Sequence, residues 1–395
     1  MTTSYETQSK TPIDPVMAAK QLIPLILARR DKAERIRRVP ADVTTALADA
    51  GLLQMYLPRS MGGPELSPLT AFEAIETLSR ADGAIGWCAM ISSDLSLFMG
   101  WLPADVGRQM CGDPADLRVA GSLRPQGRAH IVEGGYRVRG RWNFASGVDH
   151  ANWLYCPCMV MDGDEPQLNE AGMPRVMSMW IRSDEATIED TWTAIGMRGT
   201  GSNDFVVHDI FAPAARAFSL NGPSCERGPL YNSRLQLTAV WTATVANALG
   251  IARGAIDSFI ELAAETSSTS SSSVLRDRPL VQTRVAEAEA ILGAARAYVV
   301  DSVGSAWAAI CDGALDPSHA IARARLAIVH GMHEAVRSVD LVFHAAGTNA
   351  IYSLNPLERY FRDIHVTVQH GAALPAQYES AGKALMGLRP TERGW

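Results

Sequence analysis

A chain of 395 residues with 47% hydrophobic side chains is too long for one small core and points to two or three packed layers or subdomains. Its 36 basic and 42 acidic residues leave a net charge of −6, which offers no global field for nucleic acid or an anionic membrane and favours a small-molecule partner. Six cysteines without a disulfide-framework spacing, no secretory leader pattern and no apolar run near the roughly 20 residues of a spanning helix lead us to expect a cytoplasmic protein. The spacing of Met17, Leu22, Leu25 and Ile26 predicts an opening amphipathic helix over 15–38, and Pro40 and Gly51 bracket a second. After the break at Gly62-Gly63-Pro64, helices are expected over 69–79 and 83–101.

From residue 117 onward the pattern changes to short strand-like runs, 119–122, 129–133, 136–141, 153–161, 175–181, 187–195 and 205–211, with Gly134-Gly135 as a hairpin turn. Cys156-Pro157-Cys158 lies within one of them and lacks the further ligands a metal site needs. Helical periodicity returns over 235–262, 279–310, 318–346 and 369–388, the pattern of a four-helix bundle. The serine run 267–273 reads either as a flexible linker or as a hydroxyl-rich loop over a cofactor phosphate. The expected fold is therefore α+β and mainly α, with a helical domain over 1–117, a β-domain over 118–222 and a helical bundle over 223–395. Strands and helices are segregated, and no Gly-x-Gly-x-x-Gly or phosphate-binding loop follows a strand, so a nicotinamide-binding domain is not expected.

Three blocks concentrate the chemistry. Gly140-Arg141-Trp142-Asn143-Phe144-Ala145-Ser146-Gly147 crowds aromatics and a small hydroxyl against a glycine turn, a combination suited to a planar heterocycle. Downstream come Gly196-Met197-Arg198-Gly199-Thr200-Gly201-Ser202-Asn203-Asp204 and then Arg362-Asp363 with His370-Gly371. His330 and His333 lie one turn apart without a third ligand, and Phe144-Ala145-Ser146-Gly147 lacks the first glycine of a nucleophile elbow, so neither a zinc enzyme nor a hydrolase is indicated.

With these blocks in this order, the chain resembles the acyl-CoA dehydrogenase fold, and within it the two-component flavin-dependent monooxygenases. Leu57-Pro58-Arg59-Ser60-Met61-Gly62-Gly63 is similar to that family's Pro-x-x-Tyr-Gly-Gly turn, with Met61 in place of the aromatic. The resemblance implies an N-terminal helical domain, a middle β-barrel and a C-terminal four-helix bundle, with flavin held between the last two. It implies that Phe144 lies against the isoalloxazine and Ser146 near its N5, with Trp142 and Ala145 beside them, although aromatics in strands are also ordinary packing residues. Trp87 of Gly86-Trp87 would border flavin and substrate, Ser122 would pass the pyrimidine edge, and Arg276 or Arg278 would meet phosphate. Gly347 and Thr348 would reach the cofactor across a subunit boundary, and Gly371 would follow the catalytic His370.

What reaction the flavin performs depends on one position. Dehydrogenases of this fold carry a Glu after the Arg-Asp pair, whereas here His370 occupies that neighbourhood, and Tyr378-Glu379-Ser380 lies too far downstream. The resemblance therefore implies an oxygenase component that receives FMNH2 or FADH2 from a separate NAD(P)H:flavin reductase. With O2 it would form a C4a-hydroperoxyflavin and hydroxylate an aromatic or heteroatom-bearing small molecule, most often as a homotetramer. His370, titrating near neutral pH, would act as general base or steady the distal oxygen. A true acyl-CoA dehydrogenase and a catalytically silent binding subunit are the alternatives.

Overall fold

Asp14 starts the helical N-terminal segment: its side chain accepts the Val16 amide at 2.9 Å, and Pro15 occupies the first helical position, where a missing N–H costs nothing. In the computed structural model, which describes residues 14–266 and 274–390, α1 (Pro15–Ile36) is followed by α2 (Ala41–Asp49), α3 (Pro68–Ala81), α4 (Gly83–Leu97) and α5 (Ala104–Cys111). The serine run 267–273 lies outside the described residues.

The middle segment contributes β1 (Val119–Gly121), β2 (Gly127–Val132), β3 (Gly135–Ala145), β4 (Trp153–Asp162), β5 (Glu165–Pro166), β6 (Val176–Arg182), β7 (Thr187–Glu189), β8 (Asn203–Pro213) and β9 (Ala217–Phe218). They form one sheet in the order β7-β8-β3-β2-β4-β6-β9, with β1 and β5 also paired to β4. Central β4 is buried on both faces, so its sequence reads as an apolar run rather than an alternation. Leu154, Cys156 and Cys158 point into the sheet's own core beside Trp142 and Phe205, while Trp153 and Tyr155 pack into the helical core. Burial pushes the Cys156 and Cys158 thiols up, which holds them protonated and inert.

The expected strand 187–195 stops at Glu189. Its continuation leaves the ladder because the Thr191 and Trp192 amides bond instead to the Asn203 side chain at 3.1 and 3.0 Å. The chain then returns to helix in α6 (Gln236–Glu265), α7 (Pro279–Cys311), α8 (Ser318–Ala346), α9 (Pro356–Thr367) and α10 (Ala376–Leu385). The expected helix 369–388 is not continuous. Asn355 caps α9 upstream of it, and His370 and Pro375 then break the chain into a 3-10 turn, Gly371–Ala373, before α10 begins. That break brings His370 to the site.

Candidate active site

The site begins at the α3–α4 corner. Asp82 caps α4 by accepting the Ile85 amide at 2.9 Å, and Asn247 of α6 donates to Ser79 Oγ at 2.8 Å and to the Gly83 carbonyl at 2.9 Å. A Cβ on Gly86 would lie 2.1 Å from Ser79 Oγ, so only glycine lets this corner close. Trp87 is thereby turned to the open side of α4. Its indole Nε1 donates to Ser146 Oγ at 3.0 Å, and its ring meets His370 edge to face at 5.5 Å.

The opposite wall is built by an irregularity in β3. Between Trp142 and Ala145 the register against β8 shifts, so these two residues, three apart, both point into the sheet core. Phe144 is thrown outward, 54% exposed, with its backbone at φ +61°. A left-handed phenylalanine costs about 1–3 kcal/mol, a strain that persists where the surroundings enforce it. Phe144 stands edge to face with Trp192 at 6.3 Å, and the Arg124 guanidinium lies 5.3 Å from its ring centre.

Between these walls runs a buried ladder of hydroxyls. Ser146 Oγ lies 2.7 Å from Ser202 Oγ, which lies 2.6 Å from Thr200 Oγ1, and Thr200 donates to the Met197 carbonyl at 2.8 Å. Trp192 Nε1 donates to that same carbonyl at 3.0 Å. The Met197 amide in turn donates to the buried Asp363 carboxyl of α9, and a Cβ on Gly196 would sit 2.4 Å from the Arg362 carbonyl. Burial first, and the nearby Asp82 second, push the Asp363 carboxyl up to about 8.

His370 closes the cleft. Its Nδ1 accepts the Ala372 amide at 3.3 Å, which leaves the proton of the neutral ring on Nε2. His333 of α8 holds the same turn through the Ala373 carbonyl at 3.0 Å. Burial pulls the pKa of the ring down to about 4, with no charged partner among the described residues to offset it. The expectation of a group titrating near neutrality is thus corrected: this imidazole is neutral throughout the physiological range.

The structure brings Trp87, Ser146 and His370 into contact and sets Phe144 two residues from Ser146 on the same turn. Ser122, buried at the end of β1, accepts the Arg124 amide at 3.3 Å and so adjoins the residue that covers Phe144. Two expected contacts are corrected. Trp142 is fully buried in the sheet, stacked on Phe205 at 5.1 Å and donating to the Pro157 carbonyl at 2.9 Å, and the Ala145 side chain lies in the same core. Arg276 sits on a 3-10 turn between α6 and α7, exposed and 3.9 Å from Asp277. Gly347 and Thr348 open an exposed 3-10 turn after α8, and Gly371 has open space around it. Glu379 is solvent-exposed and pairs with Lys383 at 2.7 Å. Thr200, Ser202 and Asp363 lie in blocks singled out in the sequence but without roles of their own, and Trp192 lies outside those blocks; all four line the candidate site. The alternation Gly199-Thr200-Gly201-Ser202 was the available signal for the first two.

The models for the acyl-CoA dehydrogenase N-terminal domain and C-terminal domain match residues 17–103 and 242–375. An indole-3-acetate monooxygenase of Pseudomonas putida is 32% identical over 92% of this chain and 91% of its own length. The chain belongs to the flavin-dependent monooxygenases of the acyl-CoA dehydrogenase fold. The flavin-dependent monooxygenase oxygenase subunit HsaA of Rhodococcus jostii (strain RHA1) is 29% identical over 94% of this chain and 98% of its own. The crystal structure of the 3-HSA hydroxylase from Rhodococcus sp. RHA1 superposes with a TM-score of 0.86 at 27% identity, covering 97% of this chain and 99% of that one.

The residues present fit the flavin that such a monooxygenase uses. An exposed aromatic face at Phe144 adjoins Asn143, whose buried Oδ1 has no hydrogen-bond partner among the described residues. A face together with an unsatisfied acceptor is what a planar, N–H-bearing heterocycle requires. No helix among the described residues is long and apolar enough to cross a membrane.

Proposed function

We propose that this protein is the oxygenase component of a two-component monooxygenase, taking FMNH2 or FADH2 from a separate NAD(P)H:flavin reductase and oxygenating an aromatic small molecule. When bound, the reduced flavin supplies the two electrons with which O2 yields one oxygen atom to the substrate and one molecule of water, leaving oxidised flavin. The observation that carries this reading is the neutral His370 imidazole against Trp87, while the carboxylate candidate, Glu379, is solvent-exposed and paired with Lys383.

In this reading Phe144 packs on the flavin ring, Ser146 holds a hydrogen bond at its reactive edge, and Ser122 borders its far edge. The Ser146–Ser202–Thr200 ladder fixes that hydroxyl and excludes water, which would otherwise divert oxygen to peroxide. His370, its Nδ1 engaged by the Ala372 amide, donates through Nε2 at the reacting oxygen. Gly347 and Thr348 are proposed to reach the cofactor from a neighbouring subunit of a homotetramer in the cytoplasm, with Arg276 meeting phosphate and Gly371 adjoining the cofactor beside His370. That assembly is supported by the exposed Ile351, Tyr352 and Leu354 beside the Gly347 turn. The division into 1–117, 118–222 and 223–395 follows the change from helix to strand at Val119 and back at Gln236.

The test is a single-turnover reaction with reduced FMN or FAD and ¹⁸O2 in the presence of a phenol or indole. One labelled atom in the product, with little hydrogen peroxide, is expected. Substrate-dependent reduction of oxidised flavin without oxygen would instead assign the chain to dehydrogenation.

A further inference from the structure

Helix α4 is buried almost all round: of its 15 residues, 13 are buried, and only Trp87 and Ile91 keep partial access to solvent. These two are one turn apart on the same face, the face that Trp87 presents to His370 and Ser146. The next position on that stripe is Asp94, two turns from Trp87, or about 10 Å deeper along the helix. Its residue is 3% exposed, and neither carboxyl oxygen has a hydrogen-bond partner among the described residues. Phe98, one turn further, stacks on Tyr155 at 5.2 Å and meets Trp101 at 6.3 Å, so the stripe ends against aromatics.

An unpaired buried carboxyl is costly, and native interiors retain few such groups. Burial pushes Asp94 well above the carboxylate range, and Asp94 is near enough to Tyr56 to help raise that buried phenol in turn. Among the described residues the Tyr56 hydroxyl bonds only the Ala239 carbonyl, at 3.5 Å. An unpaired carboxyl therefore stands at the inner end of the stripe that begins at the candidate active site, with the buried Tyr56 phenol within electrostatic range.

We infer that Asp94 determines substrate specificity: its carboxyl takes a hydrogen bond from a hydroxyl or amine that the aromatic substrate carries on the side remote from the oxygenated ring. The inference rests on the monooxygenase reading and narrows it to substrates with a donor at both ends. A ring beside Trp87 bearing a two-carbon arm spans the two helical turns to Asp94. A site built around a buried acceptor rejects analogues lacking the matching donor, because the acceptor is then left unpaired.

The probes are tyrosol, tyramine and 4-ethylphenol, which share a phenol ring and differ only at the end of the arm. Their binding is measured by equilibrium dialysis against the protein with oxidised flavin added. Wild type is expected to bind tyrosol or tyramine at least about 10-fold more tightly than 4-ethylphenol. In D94L that preference disappears, and in D94N, which keeps one acceptor oxygen, it falls part-way. The two arms decide between hydroxyl and amine. Wild type with no preference for either donor, or a preference retained in both variants, overturns the inference. Single-turnover ¹⁸O incorporation, read separately, reports on the monooxygenase reading, so either can fail without the other.

Discussion

Trp87 and His370 meet edge to face at 5.5 Å, one from the buried helix α4 and the other from the turn that interrupts the chain after α9. The indole's ring borders the imidazole while its N–H engages Ser146, so one side chain couples the candidate catalytic imidazole to the hydroxyl ladder. The contact also explains the low basicity of His370. An aromatic neighbour and a cap hydrogen bond to Nδ1 supply no counter-charge, and desolvation decides.

With a folded pKa of about 4 against an ordinary value near 6.5, His370 binds its proton less readily folded than unfolded. Its contribution to stability is complete above about pH 6.5 and is lost as pH falls toward 4. Denaturant titrations should therefore show wild type losing stability relative to H370N across that window and running parallel above it. The acid limb of coupled oxygenation should fall near pH 4. In H370A the rate of oxygen transfer should drop by roughly 100-fold or more, and product per reduced flavin should fall with it, while the fold persists. Undiminished product in H370A would remove the imidazole from the chemistry.

Ser146 receives the Trp87 N–H and shares a hydrogen bond with Ser202 in a buried setting. Ser146→Ala leaves the indole donor without its partner, at a cost of about 1–3 kcal/mol. Chemical denaturation should report that loss, and peroxide release per turnover should rise because the ladder no longer fixes the wall. Equal stability and equal coupling in S146A would show that neither bond matters.

Phe144 separates strain from function because its φ of +61° favours glycine. F144G and F144A both delete the ring, yet the glycine variant should be more stable than the alanine variant by about 1 kcal/mol. Both should bind flavin more weakly than wild type, by an amount the stability difference does not track. Fluorescence titration with FMN and FAD checks the second point. Identical flavin affinity in all three proteins would leave the exposed ring without a cofactor role.

The segregated order of helices, strands and helices was legible because periodicity changes at Val119 and again at Gln236. Trp87, Ser146 and His370 were legible as residues within local motifs. Trp142 was not, because a one-residue register shift in β3 decides which of two neighbouring aromatics faces out, and pairing with β8 lies some 60 residues away. The His370 environment was equally hidden: residue type gives a pKa near 6.5, and only packing reveals the desolvation that lowers it. Asp94 carried no signal in the sequence beyond its place in the expected helix 83–101. The structure buries α4 on nearly every side and so turns the same residue into an anomaly.

Asp363 offers a sharper test of how the two halves of the site are joined. Its carboxyl accepts the Met197 amide, linking α9 to the loop that carries Thr200 and Ser202, and its pKa is raised to about 8 chiefly by burial. An acid whose folded pKa exceeds its unfolded value stabilises fully below about pH 4, and that contribution is lost as pH rises toward 8. D363N retains an acceptor oxygen for Met197 without a charge to ionise, so its stability relative to wild type should improve steadily between pH 4 and 8. D363A removes the acceptor and strands a buried amide, so it should cost about 1–3 kcal/mol below pH 4, a deficit that narrows as pH rises toward 8 because alanine has no charge to bury. Were Asp363 instead an ionised partner of Arg362, D363N would lose stability relative to wild type as pH rises, so the sign of that slope distinguishes a neutral hydrogen-bonded strut from a buried ion pair.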